Sequence, residues 1–132
     1  MFEASRVVAS RECPWFSVVL CDEGILVYRP IPGLVLTHPI ALEVMRVGLQ
    51  IVDSAKPTMV LMQDIARVDR DARACFASED YMRLCSQTAL VVGSTVSRVI
   101  GSFFVGLNQP TYPVKIFDDP ELALEWLRGF LP

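Results

Sequence analysis

Ala89-Leu-Val-Val-Gly-Ser-Thr-Val-Ser-Arg-Val-Ile-Gly-Ser-Phe-Phe-Val-Gly-Leu107 passes through Asn108-Gln-Pro110 into Pro113-Val-Lys-Ile-Phe117 and Asp118-Asp-Pro-Glu-Leu-Ala-Leu-Glu-Trp-Leu127. Two short apolar runs alternate with two stretches of helical periodicity, so the last third predicts strand, helix, strand, helix. Successive buried strands separated by helices call for a parallel sheet with crossovers. In the last helix Asp118 and Glu121 form a D-x-x-E capping box with Pro120 in the first turn. Outward from this core, Met59-Val-Leu-Met62 is a uniformly apolar strand of the kind covered on both faces. Val7–Glu12 and Trp15–Leu20 predict extended chain, and Cys21-Asp-Glu-Gly24 before Ile25-Leu-Val-Tyr28 predicts a hairpin. Thr37 is a plausible N-cap with Pro39 in the first turn of a helix running from about His38 to Val52. Asp69 can cap a second helix carrying Ala72, Ala74, Phe76 and Ala77, with re-initiation at Ser78, and a third helix follows Gly93. The expected fold is α/β: a mixed sheet of about five strands, four to six being compatible, with an N-terminal antiparallel hairpin, then parallel βα units and about four helices.

A chain of 132 residues is near the common size of one domain. With no linker, repeat or low-complexity tract, residues 1–132 are expected to form a single domain. The net charge of −3 and only two lysines, Lys56 and Lys115, offer no basic footprint for nucleic acid. Cys13, Cys21, Cys75 and Cys85 make no C-x-x-C pair and accompany a single histidine, so no metal site and no cofactor are expected. Reduced thiols and an amino terminus without a signal-peptide pattern suggest a cytoplasmic protein. No apolar run reaches the ~18 residues of a membrane span. Yet 52% of residues are hydrophobic and the mean hydropathy is +0.41.

That surplus concentrates on two helices. At 100° per residue Ile40, Val44, Val47 and Ile51 make one stripe of the first helix, while Leu42, Met45, Leu49 and Val52 make another roughly opposite. One sheet cannot cover both. Packing on a neighbouring helix, a homodimer surface and a groove for an apolar ligand are the alternatives. The last helix repeats the excess, with Leu122, Trp126 and Phe130 expected inward and Leu124, Leu127 and Leu131 left over. Candidates for a dimer or ligand face are therefore Leu42, Met45, Leu49, Val52, Phe104 and Leu124.

Candidate chemistry is sparse, and no catalytic residue is assigned. His38 has no nucleophile near it in sequence. Ser94, Thr95 and Arg98 stand at a helix start after Gly93, where an anion could dock, although self-capping by Ser94 accounts for the pattern. Asp64, Arg67, Asp69, Arg70, Asp71 and Arg73 form the one local charge concentration. It follows a strand's carboxyl end, where open α/β sheets place their sites, yet the alternating signs suit a self-compensating surface ridge.

The stretch Thr88–Pro110, together with Pro113-Val-Lys-Ile-Phe-Asp118 and Ala123-Leu-Glu-Trp-Leu127, resembles a family of small uncharacterised bacterial STAS-like (SpoIIAA-like) proteins. Their members read close to ALLVGSPVSRVIGNFFLxLNKP and end in EEALEWL. The resemblance implies a mixed sheet with helices, related in shape to anti-sigma-factor antagonists and, more distantly, to CRAL-TRIO lipid-binding domains. In phosphorylatable antagonists a serine accepts phosphate at a helix start. The matching stretch, Asp64-Ile-Ala-Arg-Val-Asp69-Arg70-Asp71, places an acidic residue there, which removes that switch. The leading expectation is a non-enzymatic interaction module, regulatory in the sense the family shape implies, homodimeric, with Asp64–Arg73 as a contact surface for an unidentified protein partner. The alternative is a carrier of a small apolar or lipid-like ligand lined by Leu42, Met45, Leu49, Phe103, Phe104 and Trp126. An enzyme using His38, Asp64 and Asp69 comes third.

Overall fold

The computed structural model describes residues 6–63, 65–76, 78–93 and 113–131. Six strands form the main sheet: β1 (Val7–Glu12), β2 (Phe16–Cys21), β3 (Leu26–Pro30), β5 (Lys56–Leu61), β7 (Cys85–Val91) and β8 (Val114–Phe117), side by side in that order. β1, β2 and β3 pair antiparallel, while β3, β5, β7 and β8 run parallel. Met59 and Leu90 neighbour each other's strands, and Leu90 pairs with Ile116, so the apolar runs that decided the fold class do share one sheet. A small second ladder joins β4 (Val35–Leu36) to β6 (Arg67–Val68) in parallel.

The β2–β3 turn needs a residue at positive φ, and Gly24 supplies it at 91°. α1 (His38–Ile51) starts after Thr37, whose backbone is extended as an N-cap requires but whose hydroxyl makes no capping bond. Pro39 in the first turn removes one N–H that would need a cap. α2 (Arg70–Phe76) is followed by α3 (Glu79–Met82), where Ser78 caps by accepting from the Tyr81 amide at 3.4 Å. α4 (Pro120–Arg128) is capped by Asp119, not Asp118: its carboxylate accepts from the Glu121 amide at 2.9 Å. Asp119 directly precedes Pro120, and proline at N1 makes its predecessor the cap.

The order β3–β5–β7 advances in one direction, so right-handed crossovers place α1, α2 and α3 on the same face. Strand alternation then sorts the core. Val18, Leu26, Tyr28 and Leu90 meet the α1–α2 layer, whereas Cys21, Ile25, Val27, Met59, Ala89 and Val91 meet α4.

This layering corrects two expectations. Met45 is buried, its sulfur 3.1 Å from the Cys75 thiol of α2, so helix-on-helix packing absorbs that part of the surplus. On α4 the facing is opposite to the one expected: Ala123, Leu124 and Leu127 are buried, while Leu122 and Phe130 are exposed. Ala123, fully buried, lets the helix axis approach the sheet closely; the bulky Trp126 instead lies beside Phe117, with ring centroids 5.7 Å apart. Leu124 is thus a core residue and not a dimer-face candidate. Leu42 and Leu49 stay 48% and 46% exposed, and Val52 is partly buried.

Among the described residues, no helix is long and apolar enough to cross a membrane.

Candidate functional site

A cavity of about 80 Å³ lies between the sheet and the layer of helices. Its floor is the α1-facing side of the central strands, with Phe16 from β2, Tyr28 and Pro30 from β3, Val60 from β5, and Thr88 and Leu90 from β7. Val44 of α1 forms one wall. Leu34, Leu36, Met62, Ile65 and Val68, in and around the β4–β6 ladder, form another, and Arg73, Phe76 and Tyr81 from α2 and α3 close it. Pro30, Met62 and Ile65 lie at or beyond the carboxyl ends of β3 and β5, the end where open α/β sheets hold ligands.

The polar groups in this lining and directly behind it, where Thr58 and Cys85 lie next to Thr88, fall into two sets. Tyr28 is satisfied: its hydroxyl donates to the Val44 carbonyl at 3.2 Å, and burial raises its pKa well above 10.0. Thr58 and Thr88 are register partners on adjacent strands, both buried. The Thr58 hydroxyl donates to the Lys56 carbonyl at 3.0 Å and lies 3.0 Å from the Cys85 sulfur. Burial pushes the Cys85 thiol up to about 12, while the hydroxyls of Thr58, Tyr81 and Thr88 pull weakly the other way. Thr88 Oγ1 is near enough to favour a thiolate but does not meet the sulfur with hydrogen-bond geometry, so this 1% exposed residue keeps an unsatisfied oxygen. Arg73 turns inward from α2, its Nη1 donating to the Val68 carbonyl at 2.9 Å, and its buried Nε likewise has no partner. Unpaired buried polar atoms are rare in native proteins and call for an explanation.

The raised pKa values of Cys85 and Tyr28 set an alkaline limit. The unfolded Cys85 thiol ionises near its ordinary value of 9.0, while the folded thiol holds its proton to about 12. Stability present below pH 9 is therefore lost as pH rises through that window, at about 1.4 kcal/mol per pH unit. Tyr28 adds to the loss above its ordinary 10.0. Urea midpoints are expected to fall steadily from pH 9 to 11, and Cys85→Ala should flatten the first part of the decline.

The expected charge ridge is partly self-compensating: Arg67 pairs with Asp69 at 3.1 Å, and Arg70 and Asp71 are exposed at the start of α2. Arg73 departs from the ridge and joins the cavity. Asp64, Ser94, Thr95, Arg98, Phe103 and Phe104 lie outside the described residues. His38 is exposed at the start of α1. Among the described residues, no three His, Cys, Asp or Glu side chains are grouped to hold a metal. Of the residues expected to line a ligand pocket, Leu42, Met45, Leu49 and Trp126 do not border this cavity; α2 covers Met45, Leu42 and Leu49 face away, and Trp126 is on the opposite side of the sheet. Sequence reasoning missed Thr58 and Thr88, although each is a polar residue inside an apolar strand and marks an inward position.

The fold and cavity define a small α/β domain with an apolar chamber between sheet and helices. The chain matches the family model "Domain of unknown function (DUF7793)" over residues 19–131 and belongs to that family. Its structure is similar to that of an uncharacterised DUF3478-family protein with a SpoIIAA-like fold from Shewanella loihica PV-4. The two are 12% identical with a TM-score of 0.58, over 96% of this chain and 99% of that one. The fold is thus SpoIIAA-like. A protein of unknown function from Arthrobacter sp. FB24 is 32% identical over 83% of this chain and 96% of its own, with a TM-score of 0.29. No curated protein matches the chain.

Proposed function

We propose that this protein is a non-enzymatic binding module that takes a small, largely apolar ligand between its sheet and the α1–α2 layer. The observation that carries this reading is the apolar cavity at the carboxyl ends of the parallel strands. Protein interiors rarely keep room for more than a water, and dry apolar cavities take up apolar guests. A guest that binds only the native state raises the melting temperature by mass action. Melting curves of the full chain with benzene, cyclopentane and short alkyl derivatives at millimolar concentration are expected to rise by a few degrees for at least one compound. If none moves the curve, and native mass spectrometry of freshly purified protein shows no adduct, the reading falls.

A second reading, self-association, has its own observation. Leu42 and Leu49 project from one face of α1, each nearly half exposed, with the Glu43–Arg46 ion pair between them in sequence. Light scattering at micromolar concentration is expected to give twice 14.7 kDa for this reading, reduced to the monomer by Leu42→Glu with Leu49→Glu. A monomer before substitution removes it.

A further inference from the structure

We infer that the cavity selects a short-chain monocarboxylate, its oxygens accepting from Arg73 Nε–H and the Thr88 hydroxyl and its tail lying on the apolar floor. The inference rests on the cavity being a ligand site and adds the chemistry of the head group. Three observations carry it. Thr88 is 1% exposed, lines the cavity, and its hydroxyl oxygen has no hydrogen-bond partner. Arg73 lines the same cavity, and its Nε is buried and unpartnered while Nη1 is committed to the Val68 carbonyl. The rest of the lining is hydrocarbon and aromatic apart from the satisfied Tyr28 hydroxyl and Tyr81.

A guanidinium N–H can only donate, so whatever satisfies Nε must bring an acceptor. Because the donor is cationic, an anionic oxygen gains most, and a planar carboxylate supplies two acceptors at once. A hydroxyl can serve as the second donor. An alkane satisfies neither atom, and an ammonium group can donate to the Thr88 oxygen but offers nothing to the Arg73 N–H. Size is consistent with a short tail: on the scale where one water takes up about 10–15 Å³, 80 Å³ holds on the order of six non-hydrogen atoms, so propanoate and butanoate fit.

The geometry also gives Thr88 a dual signature. In the empty protein its hydroxyl is a buried group with an unmet bond, so a residue of equal shape without the oxygen should fold better. In the complex the same hydroxyl contributes to affinity. Thr88→Val is therefore expected to raise the melting temperature of the ligand-free chain and to weaken butanoate binding at least tenfold, while Thr88→Ser retains binding. Arg73→Lys keeps the charge, removes Nε, and should weaken butanoate by a similar factor.

The test is calorimetry and thermal melting of the full chain with butanoate, butylamine, butanol and cyclopentane, on the unsubstituted protein and these variants. Butanoate binding, loss in Thr88→Val and Arg73→Lys, and retention in Thr88→Ser support the inference. If cyclopentane or butanol binds as tightly as butanoate, or butanoate binds Thr88→Val unchanged, the head-group assignment is overturned while the cavity stands as a ligand site. If no probe binds and only the melting temperature of Thr88→Val rises, both fall, and an enclosed water is the partner of the two polar atoms.

Discussion

Replacing Leu124 by alanine is expected to lower the unfolding free energy by about 2–5 kcal/mol, while Leu122→Ala changes it by no more than about 0.5 kcal/mol. The two residues are neighbours but one in contact with α4's sheet face and the other in solvent: Leu124 is 2% exposed and Leu122 51%. Leu124 belongs to the cluster with Ile25, Val27, Met59, Ala89 and Val91, where truncation leaves a void that the stiff β-branched Ile25, Val27 and Val91 cannot collapse into and only Met59 can partly fill. Urea denaturation of both variants beside the parent chain checks this. Equal losses, or a larger one at Leu122, would mean that α4 is rotated from its described facing.

Gly48→Ala should also destabilise, by about 1–3 kcal/mol, although at an exposed helical site the same change would stabilise by about 1 kcal/mol. A methyl group at Gly48 would lie 2.8 Å from one Leu84 methyl carbon and 2.9 Å from the other, and closer still to the Tyr28 hydroxyl. Neither neighbour can yield. Leu84 is fully buried, and Tyr28 is fixed by its bond to the Val44 carbonyl one turn earlier on the same helix. Gly48 thus lets α1 sit down on β3 and on the entry to β7. Tyr28→Phe in the Gly48→Ala background relieves the tightest contact, so the double variant should be more stable than the sum of the single losses. Strict additivity in this cycle would show that the tyrosine hydroxyl does not set the helix height.

Much of the architecture was legible because it depends on local pattern. The Met59 and Leu90 runs carry no charge and so had to be central strands; Gly24 marked the hairpin, and Pro39 and Pro120 marked the helix starts. The six-stranded sheet falls at the upper end of the expected range because β1 and the Pro113–Phe117 segment both pair at its edges. Errors arose where two apolar stripes of one helix competed. Leu122, Trp126 and Phe130 make as regular a stripe as Leu124, Leu127 and Leu131, and period alone cannot choose between them. The choice belongs to Ala123, whose small size matters only when a sheet is there to be approached. The candidate site was less legible still: Arg73 looked like one charge in an alternating ridge, and only the short α2 pressed against α1 carries it inward.

The sequence by itself determined the class of fold, the hairpin and the parallel direction of the later strands, because strand alternation, helical period and proline or glycine punctuation act over a few residues. Only the tertiary structure decided which apolar faces are covered, that Met45 meets Cys75, and that Thr88 and Arg73 share one chamber. Those outcomes depend on how closely elements distant in the chain approach one another, and that distance is set by side-chain volumes on both sides of a contact.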